Sequence, residues 1–178
     1  MAKDKRLFLG IVIPENLGSK LLMLQEERPD IKWVRQSNLH ITLRFLGEQA
    51  ENVIDIVKQT IRPIKLTPTE LVLTQMEFWE PNILSIGIQN NDALNSLKTQ
   101  LDNALQGKVS MMDENKSFKP HVTVARVKKP VNDVDINELL QKYNQQIEKL
   151  SFTCEGYCLY ESKNTDDQGR IYEKLICI

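Results

Sequence analysis

His40-Ile41-Thr42-Leu43-Arg44-Phe45-Leu46 is the stretch on which the fold turns. Ile41, Leu43 and Phe45 alternate with His40, Thr42 and Arg44, and a period of two is the mark of a strand buried on one face. The spacing predicts a strand over Leu39–Leu46 with its apolar set turned inward. The pattern His-apolar-Thr-apolar returns 81 residues later at His121-Val122-Thr123-Val124, in a second predicted strand over His121–Val127. These are the only two histidines, and only nine threonines occur in 178 residues. A threonine two places after each histidine is therefore more than composition supplies, and the repeat involves every imidazole in the protein.

Outward from these strands, apolar spacing predicts the remaining elements. Leu7–Ile13 reads as a buried strand. Pro14 then opens a helix with Leu17, Leu21 and Leu24 on one face, ending before Pro29. Val53, Val57 and Ile61 define a second helix that stops near Pro63. Leu71–Trp79 and Ile83–Ile88 read as strands around a Pro81–Asn82 turn. Leu94, Leu97, Leu101 and Leu105 give the stripe of a helix over Asn91–Gln106, with Gly107 past its end. Asp135–Glu148 is a helix in which Ile136, Leu139, Leu140, Tyr143 and Ile147 are in phase. Phe152–Tyr160 and Ile171–Ile178 are strands joined by a polar loop with Asp166, Asp167 and Gly169. Hairpin-like strands with separate helices predict an α+β fold with largely antiparallel sheets.

Composition narrows the function classes. Apolar residues make up 41% and charged residues 26%, and the net charge is −1, the profile of a soluble globular domain rather than a disordered chain. The run Leu7–Ile13 is far short of the ~20 residues that cross a bilayer, and no small-residue cleavage site follows it. A cytoplasmic location and a monomeric state are the expectations, with no membrane partner. Cys154, Cys158 and Cys177 show no paired spacing, so no disulfide framework or four-cysteine zinc site is expected; they read as small buried residues.

Strand geometry gives the repeat its chemistry. Residues two apart share a face, so His40 with Thr42 and His121 with Thr123 form two matched pairs, while Ile41, Leu43, Val122 and Val124 face the other way. With an ordinary pKa of ~6.5, two imidazoles can hold one neutral base and one protonated acid near neutral pH. Threonine hydroxyls can donate to non-bridging oxygens. The set suits in-line displacement at phosphorus, without saying which histidine is acid and which is base. His-x-Thr is not a chelating pair, and no Cys/His cluster exists, so neither a metal nor another cofactor is expected. Residues 31–47 carry Lys32, Arg35 and Arg44 with no acid, and residues 116–132 carry Lys116, Lys119, Arg126, Lys128 and Lys129 with no acid. A basic setting around both motifs favours a phosphate or nucleic-acid end. Of the adjacent Phe78 and Trp79, at most one can stack on a base from a strand, and the other is expected in the core. Lys119 and Asn38, each two before a histidine, read as turn or strand-start residues.

His40-Ile41-Thr42-Leu43-Arg44-Phe45-Leu46-Gly47 and Lys119-Pro120-His121-Val122-Thr123-Val124-Ala125-Arg126-Val127 resemble the paired HxTx motifs of the two-histidine (2H) phosphoesterases. Arg6-Leu7-Phe8, Trp33-Val34 and Leu159-Tyr160-Glu161-Ser162, with Gly169 and Tyr172, extend the likeness to the LigT-like RNA 2′,3′-cyclic phosphodiesterases over nearly the whole chain. Residues 107–118, with Met111 and Met112, are less typical. The resemblance implies one domain, 1–178, of two pseudo-symmetric lobes, with two antiparallel sheets flanking a central cleft and helices outside. It implies metal-independent hydrolysis of an RNA 2′,3′-cyclic phosphate end to a 2′-phosphomonoester, with tRNA fragments among the candidate RNAs and 2′–5′ ligation as related reverse chemistry. His121 would activate water, His40 would protonate the departing 3′-oxygen, and Thr42 and Thr123 would hold non-bridging oxygens. Arg126 resembles the family's arginine after the second motif, but strict alternation points it away from the cleft unless the strand bulges. A phosphodiesterase for small cyclic nucleotides and a non-catalytic RNA-binding or nucleotide-binding module are the alternatives. Binding alone does not require an acid–base pair.

Overall fold

The computed structural model describes residues 4–111, 117–128, 135–147, 150–165 and 169–178. Lys116 and Lys129 of the basic run, Met112, the helix end at Glu148, and Asp166 and Asp167 lie outside the described residues. The first half runs β1 (Lys5–Val12), α1 (Glu15–Leu22), β2 (Ile31–Trp33), a short 3-10 turn (Gln36–Asn38), β3 (His40–Gln49) and α2 (Val53–Ile61). β4 (Thr69–Trp79), β5 (Ile83–Ile88), α3 (Asp92–Leu105), β6 (His121–Val127) and α4 (Ile136–Ile147) follow. The chain closes with β7 (Ser151–Cys154), β8 (Cys158–Thr165) and β9 (Gly169–Cys177). Every described strand pairing is antiparallel, in the order β7-β4-β5-β6-β3-β1-β8-β9, with β2 added on β6. The α+β class expected from the sequence is the class observed.

The helices form where the apolar spacing put them. In α3 the four stripe leucines are buried, and Asn91 caps the N-terminus by accepting from the Leu94 N–H at 3.0 Å. Each such leucine contributes about 1.5–3 kcal/mol relative to an exposed one. Asp135 caps α4 by accepting from the Glu138 N–H at 2.9 Å. The α4 side chain Asn144 accepts from the Met76 N–H and donates to the Met76 carbonyl, satisfying β4 backbone beside its irregularity between Leu73 and Met76.

Two readings of the sequence need correction. Phe152–Tyr160 is not one strand. It breaks at Glu155–Tyr157, because β7 pairs with β4 while β8 pairs with β1, at opposite ends of the sheet order. Gly156 makes the crossing: a Cβ there would lie 2.1 Å from the Ile178 carbonyl oxygen. A continuous apolar run hides such a change of partner. The cysteines are also not all free. Cys158 and Cys177 face each other across the β8–β9 hairpin, Cα atoms 4.1 Å apart, and form a disulfide; Cys154 is buried and free.

Candidate active site

The two motif strands are neighbours at the centre of the sheet. β3 and β6 meet at one register pair, Ile41 opposite Val122, both fully buried. In an antiparallel pair that register sets His40 opposite Thr123 and Thr42 opposite His121, all four on the face that Ile41 and Val122 turn away from. Steps of ~6.7 Å along and ~4.8 Å across the strands put the two histidine Cα atoms roughly 8 Å apart on the diagonal. One small group fits between the rings.

Both rings are held in the same way. His40 Nδ1 lies 2.7 Å from the Asn38 carbonyl oxygen, and His121 Nδ1 lies 2.8 Å from that of Lys119. A carbonyl only accepts, so each Nδ1 carries the proton and each Nε2 is left to take or give one. The Asn38 side chain is occupied elsewhere, donating to the Arg170 carbonyl at 2.7 Å, in keeping with a structural role. The His40 ring leans over Gly10, where a Cβ would meet the Ile41 carbonyl oxygen at 2.9 Å, and packs 4.8 Å from Phe8 and 4.9 Å from Tyr172. Burial pushes the His40 imidazole below its ordinary value; the hydrogen bond to Asn38 opposes this, and charge on His121 adds to it. Burial lowers His121 too, but there the Lys119 hydrogen bond and the Glu77 carboxylate both favour the imidazolium. Burial pushes the nearby Tyr160 hydroxyl up to about 12, so it stays protonated while the imidazoles titrate.

Each motif strand carries a register shift at the same point. β1 pairs Gly10 with Thr42 and Leu9 with Arg44, passing over Leu43. β5 pairs Ser85 with Thr123 and Leu84 with Ala125, passing over Val124. The extra residue, three after each histidine, flips the alternation that follows. Phe45, expected in the core with Ile41 and Leu43, is instead 42% exposed. Arg44 turns from the cleft, its Nε 3.6 Å from Asp102 Oδ1 of α3, and leaves the basic surface expected around the first motif. In β6 the same shift buries Ala125 and exposes Arg126, returning Arg126 to the face of His121 and Thr123. Ser85, missed in the sequence, lies opposite Thr123 with its hydroxyl buried and without a hydrogen-bond partner among the described residues.

A cleft of about 580 Å³ opens beside this face, lined by Thr42, Leu43, Phe45, Trp79, Ser117, Phe118, Lys119 and His121. Trp79 is the member of the Phe78–Trp79 pair that reaches it: its ring lies 4.3 Å from His121, and its Nε1–H donates to Glu77 Oε2 at 3.0 Å. Phe78 packs against the core. His40, Thr123 and Arg126 do not line this cavity. Among the described residues no three His, Cys, Asp or Glu side chains group closely enough to hold a metal ion, and no helix is long and apolar enough to cross a membrane.

A family model described as the 2′-5′ RNA ligase superfamily matches residues 20–166. The RNA 2′,3′-cyclic phosphodiesterase of Methanocaldococcus jannaschii is 31% identical over 175 residues, covering 96% of this chain and 98% of that protein. The protein of the same name from Aquifex aeolicus is 31% identical over 154 residues, covering 79% and 80%. Among solved structures, TT0787 of Thermus thermophilus matches with a TM-score of 0.78 at 25% identity, over 97% and 96% of the chains. E. coli LigT in apo form matches with 0.77 at 20% identity, over 99% and 98%, a likeness of fold.

Proposed function

The chain belongs to the 2′-5′ RNA ligase superfamily, and we propose that it acts there as an RNA 2′,3′-cyclic phosphodiesterase that opens the cyclic phosphate to a 2′-phosphomonoester without metal. One observation carries the reading: the β3–β6 register puts two His–Thr pairs on one face, each histidine held through Nδ1 and with no hydrogen bond to Nε2 among the described residues. Neutral His121 takes a proton from water, the water oxygen attacks phosphorus, the bond to O3′ breaks, and protonated His40 gives its Nε2 proton to O3′. Thr42 and Thr123 donate to the non-bridging oxygens, and Arg126 adds positive charge at the same face. If a 5′-hydroxyl of another RNA replaces the water, the same departure of O3′ leaves a 2′–5′ linkage. A single two-lobed domain, a monomeric state and a cytoplasmic site of action complete the proposal. The direct test is an RNA oligonucleotide with a 2′,3′-cyclic phosphate end: one new 2′-phosphomonoester is expected, and an unchanged end overturns the reading.

Two further results are expected. Activity survives exhaustive EDTA treatment; loss on chelation and recovery with a divalent ion would show that a metal takes part. Because burial depresses both imidazoles, the maximum of kcat/KM falls on the acid side of the ordinary histidine value of 6.5. Glu77→Gln keeps an acceptor for Trp79 Nε1 but removes the charge that raises the His121 pKa. Lowering the His121 pKa enlarges the state with His121 neutral and His40 charged, so if His121 is the base the maximal kcat/KM holds or rises in this variant. A fall in the maximum would make His121 the acid.

A further inference from the structure

On the cleft face of the sheet, Ser85 carries a hydroxyl that the proposed reaction leaves unused. Antiparallel pairing sets His40 opposite Thr123, Ser85 on the far side of Thr123 and Glu77 on the far side of Ser85. The four side chains form one row across β3, β6, β5 and β4. Ser85 is the only hydroxyl residue of β5 and stands between Leu84 and Ile86, both fully buried. It is 1% exposed, and its hydroxyl has no hydrogen-bond partner among the described residues. Trp79 leaves from β4 and its ring lies 4.3 Å from His121 on β6, so the indole crosses β5 on this face and shields it from solvent. Gly87, directly opposite His121, has no side chain in its way. The carboxylate at the end of the row is turned to the indole: Glu77 Oε2 accepts from Trp79 Nε1 at 3.0 Å. The first motif has no counterpart of Ser85, because the residue beside Thr42 on β1 is Gly10. A buried hydroxyl without a partner destabilises the free protein. An apolar side chain would fit this strand better, unless the hydroxyl gains a partner when a ligand is bound.

Resting on the function proposed above, we infer that Ser85 is a positioning residue for Thr123: with the cyclic phosphate bound, Ser85 donates a hydrogen bond to Thr123 Oγ1, and Thr123 donates to one non-bridging oxygen. A hydroxyl has one proton to give and lone pairs to receive. With its proton turned to the phosphate, Thr123 Oγ1 is left as an acceptor. Directly opposite residues of antiparallel strands are close enough for a serine–threonine hydrogen bond. The bond from Ser85 fixes the direction of the Thr123 proton, and bonds in a chain strengthen one another away from water. Negative charge builds on the non-bridging oxygens as water adds to phosphorus. The chain therefore stabilises the transition state more than bound substrate, and acts on kcat more than on KM. Thr42 donates without such support, since Gly10 stands beside it, so the two non-bridging oxygens are held unequally. No proton is transferred along the chain; both hydroxyls keep their own throughout.

The experiment follows Ser85→Ala, Thr123→Val and the double variant on an RNA oligonucleotide with a 2′,3′-cyclic phosphate end, and on the Rp and Sp 2′,3′-cyclic phosphorothioates of the same oligonucleotide. Sulfur accepts hydrogen bonds poorly, so each diastereomer weakens the contact at one non-bridging position. Ser85→Ala melts at the wild-type temperature or above it, because a buried hydroxyl without a partner is removed. Its kcat nevertheless falls about 2- to 10-fold, the span of one net hydrogen bond. In the Thr123→Val background the same change costs nothing further. The wild-type preference for phosphate over phosphorothioate shrinks in Ser85→Ala for one diastereomer, the one for which it also shrinks in Thr123→Val, and holds for the other. Three results from an active wild type overturn this inference alone. Unchanged kcat in Ser85→Ala makes the hydroxyl idle. An equal loss with and without the Thr123 hydroxyl means that Ser85 does not act through it. A Ser85→Ala variant that melts lower and slows both diastereomers alike, or does not fold, makes Ser85 a packing residue. A wild type inert toward the cyclic-phosphate oligonucleotide instead removes the proposed function on which the inference rests.

Discussion

Changing His40 or His121 to alanine lowers turnover about 10²- to 10⁴-fold in either case, the span expected when one general acid or base is lost. The double variant is little worse than the weaker single one. Proton removal and proton donation belong to one displacement, and losing either half leaves only what binding and the threonines supply. His121 borders an open cleft, so its alanine variant disturbs packing little. His40 is packed against Phe8 and Tyr172, so its variant also loses contacts, and a thermal melt beside the assay separates instability from lost chemistry. Near-native turnover in either folded variant contradicts the acid–base assignment. So does full additivity, which would mean that the histidines act in separate steps.

The part of this site legible in the sequence is the part that strand periodicity fixes. His40 with Thr42, and His121 with Thr123, share a face because a strand repeats every two residues whatever lies beside it. The helices were legible for the same reason, from leucines spaced along α3 and apolar residues in phase along α4. The residues that decide the cleft's chemistry were not, because a bulge belongs to a pair of strands rather than to one. Nothing in His40–Leu46 announces that β1 passes over Leu43, so Phe45 reads as core and Arg44 as cleft when the reverse holds. Arg126 depended on the same condition in β6, and the register with β5 supplies it. Trp79 and Phe118 reach the cleft through pairings remote in sequence. The disulfide did carry a signal: a hairpin centred on the polar loop at 166–169 brings 158 opposite 177. Reading Phe152–Tyr160 as one unbroken strand obscured it.

The environments of the two histidines also set up the experiment that separates their roles. Burial opposes the charge on both rings; beside it Glu77 favours a proton on His121, whereas the charge of His121 disfavours one on His40. Hydrolysis as proposed needs His40 charged and His121 neutral, the arrangement that the Glu77 carboxylate opposes. A profile in pH alone reports the pair, not its members. A phosphodiester whose leaving group departs without a proton, such as a nitrophenolate, makes the acid dispensable while the base is still required. With it, His40→Ala recovers most of the 10²- to 10⁴-fold loss seen with RNA, and its rate becomes independent of pH on the alkaline side, where only loss of the acid's proton had lowered it. His121→Ala stays slow on both substrates. The opposite rescue pattern exchanges the roles and agrees with the resting preference set by Glu77. Rescue of neither variant means that both imidazoles serve as cations for the phosphate, in which case the pH maximum disappears and rates rise toward low pH, where both rings are charged.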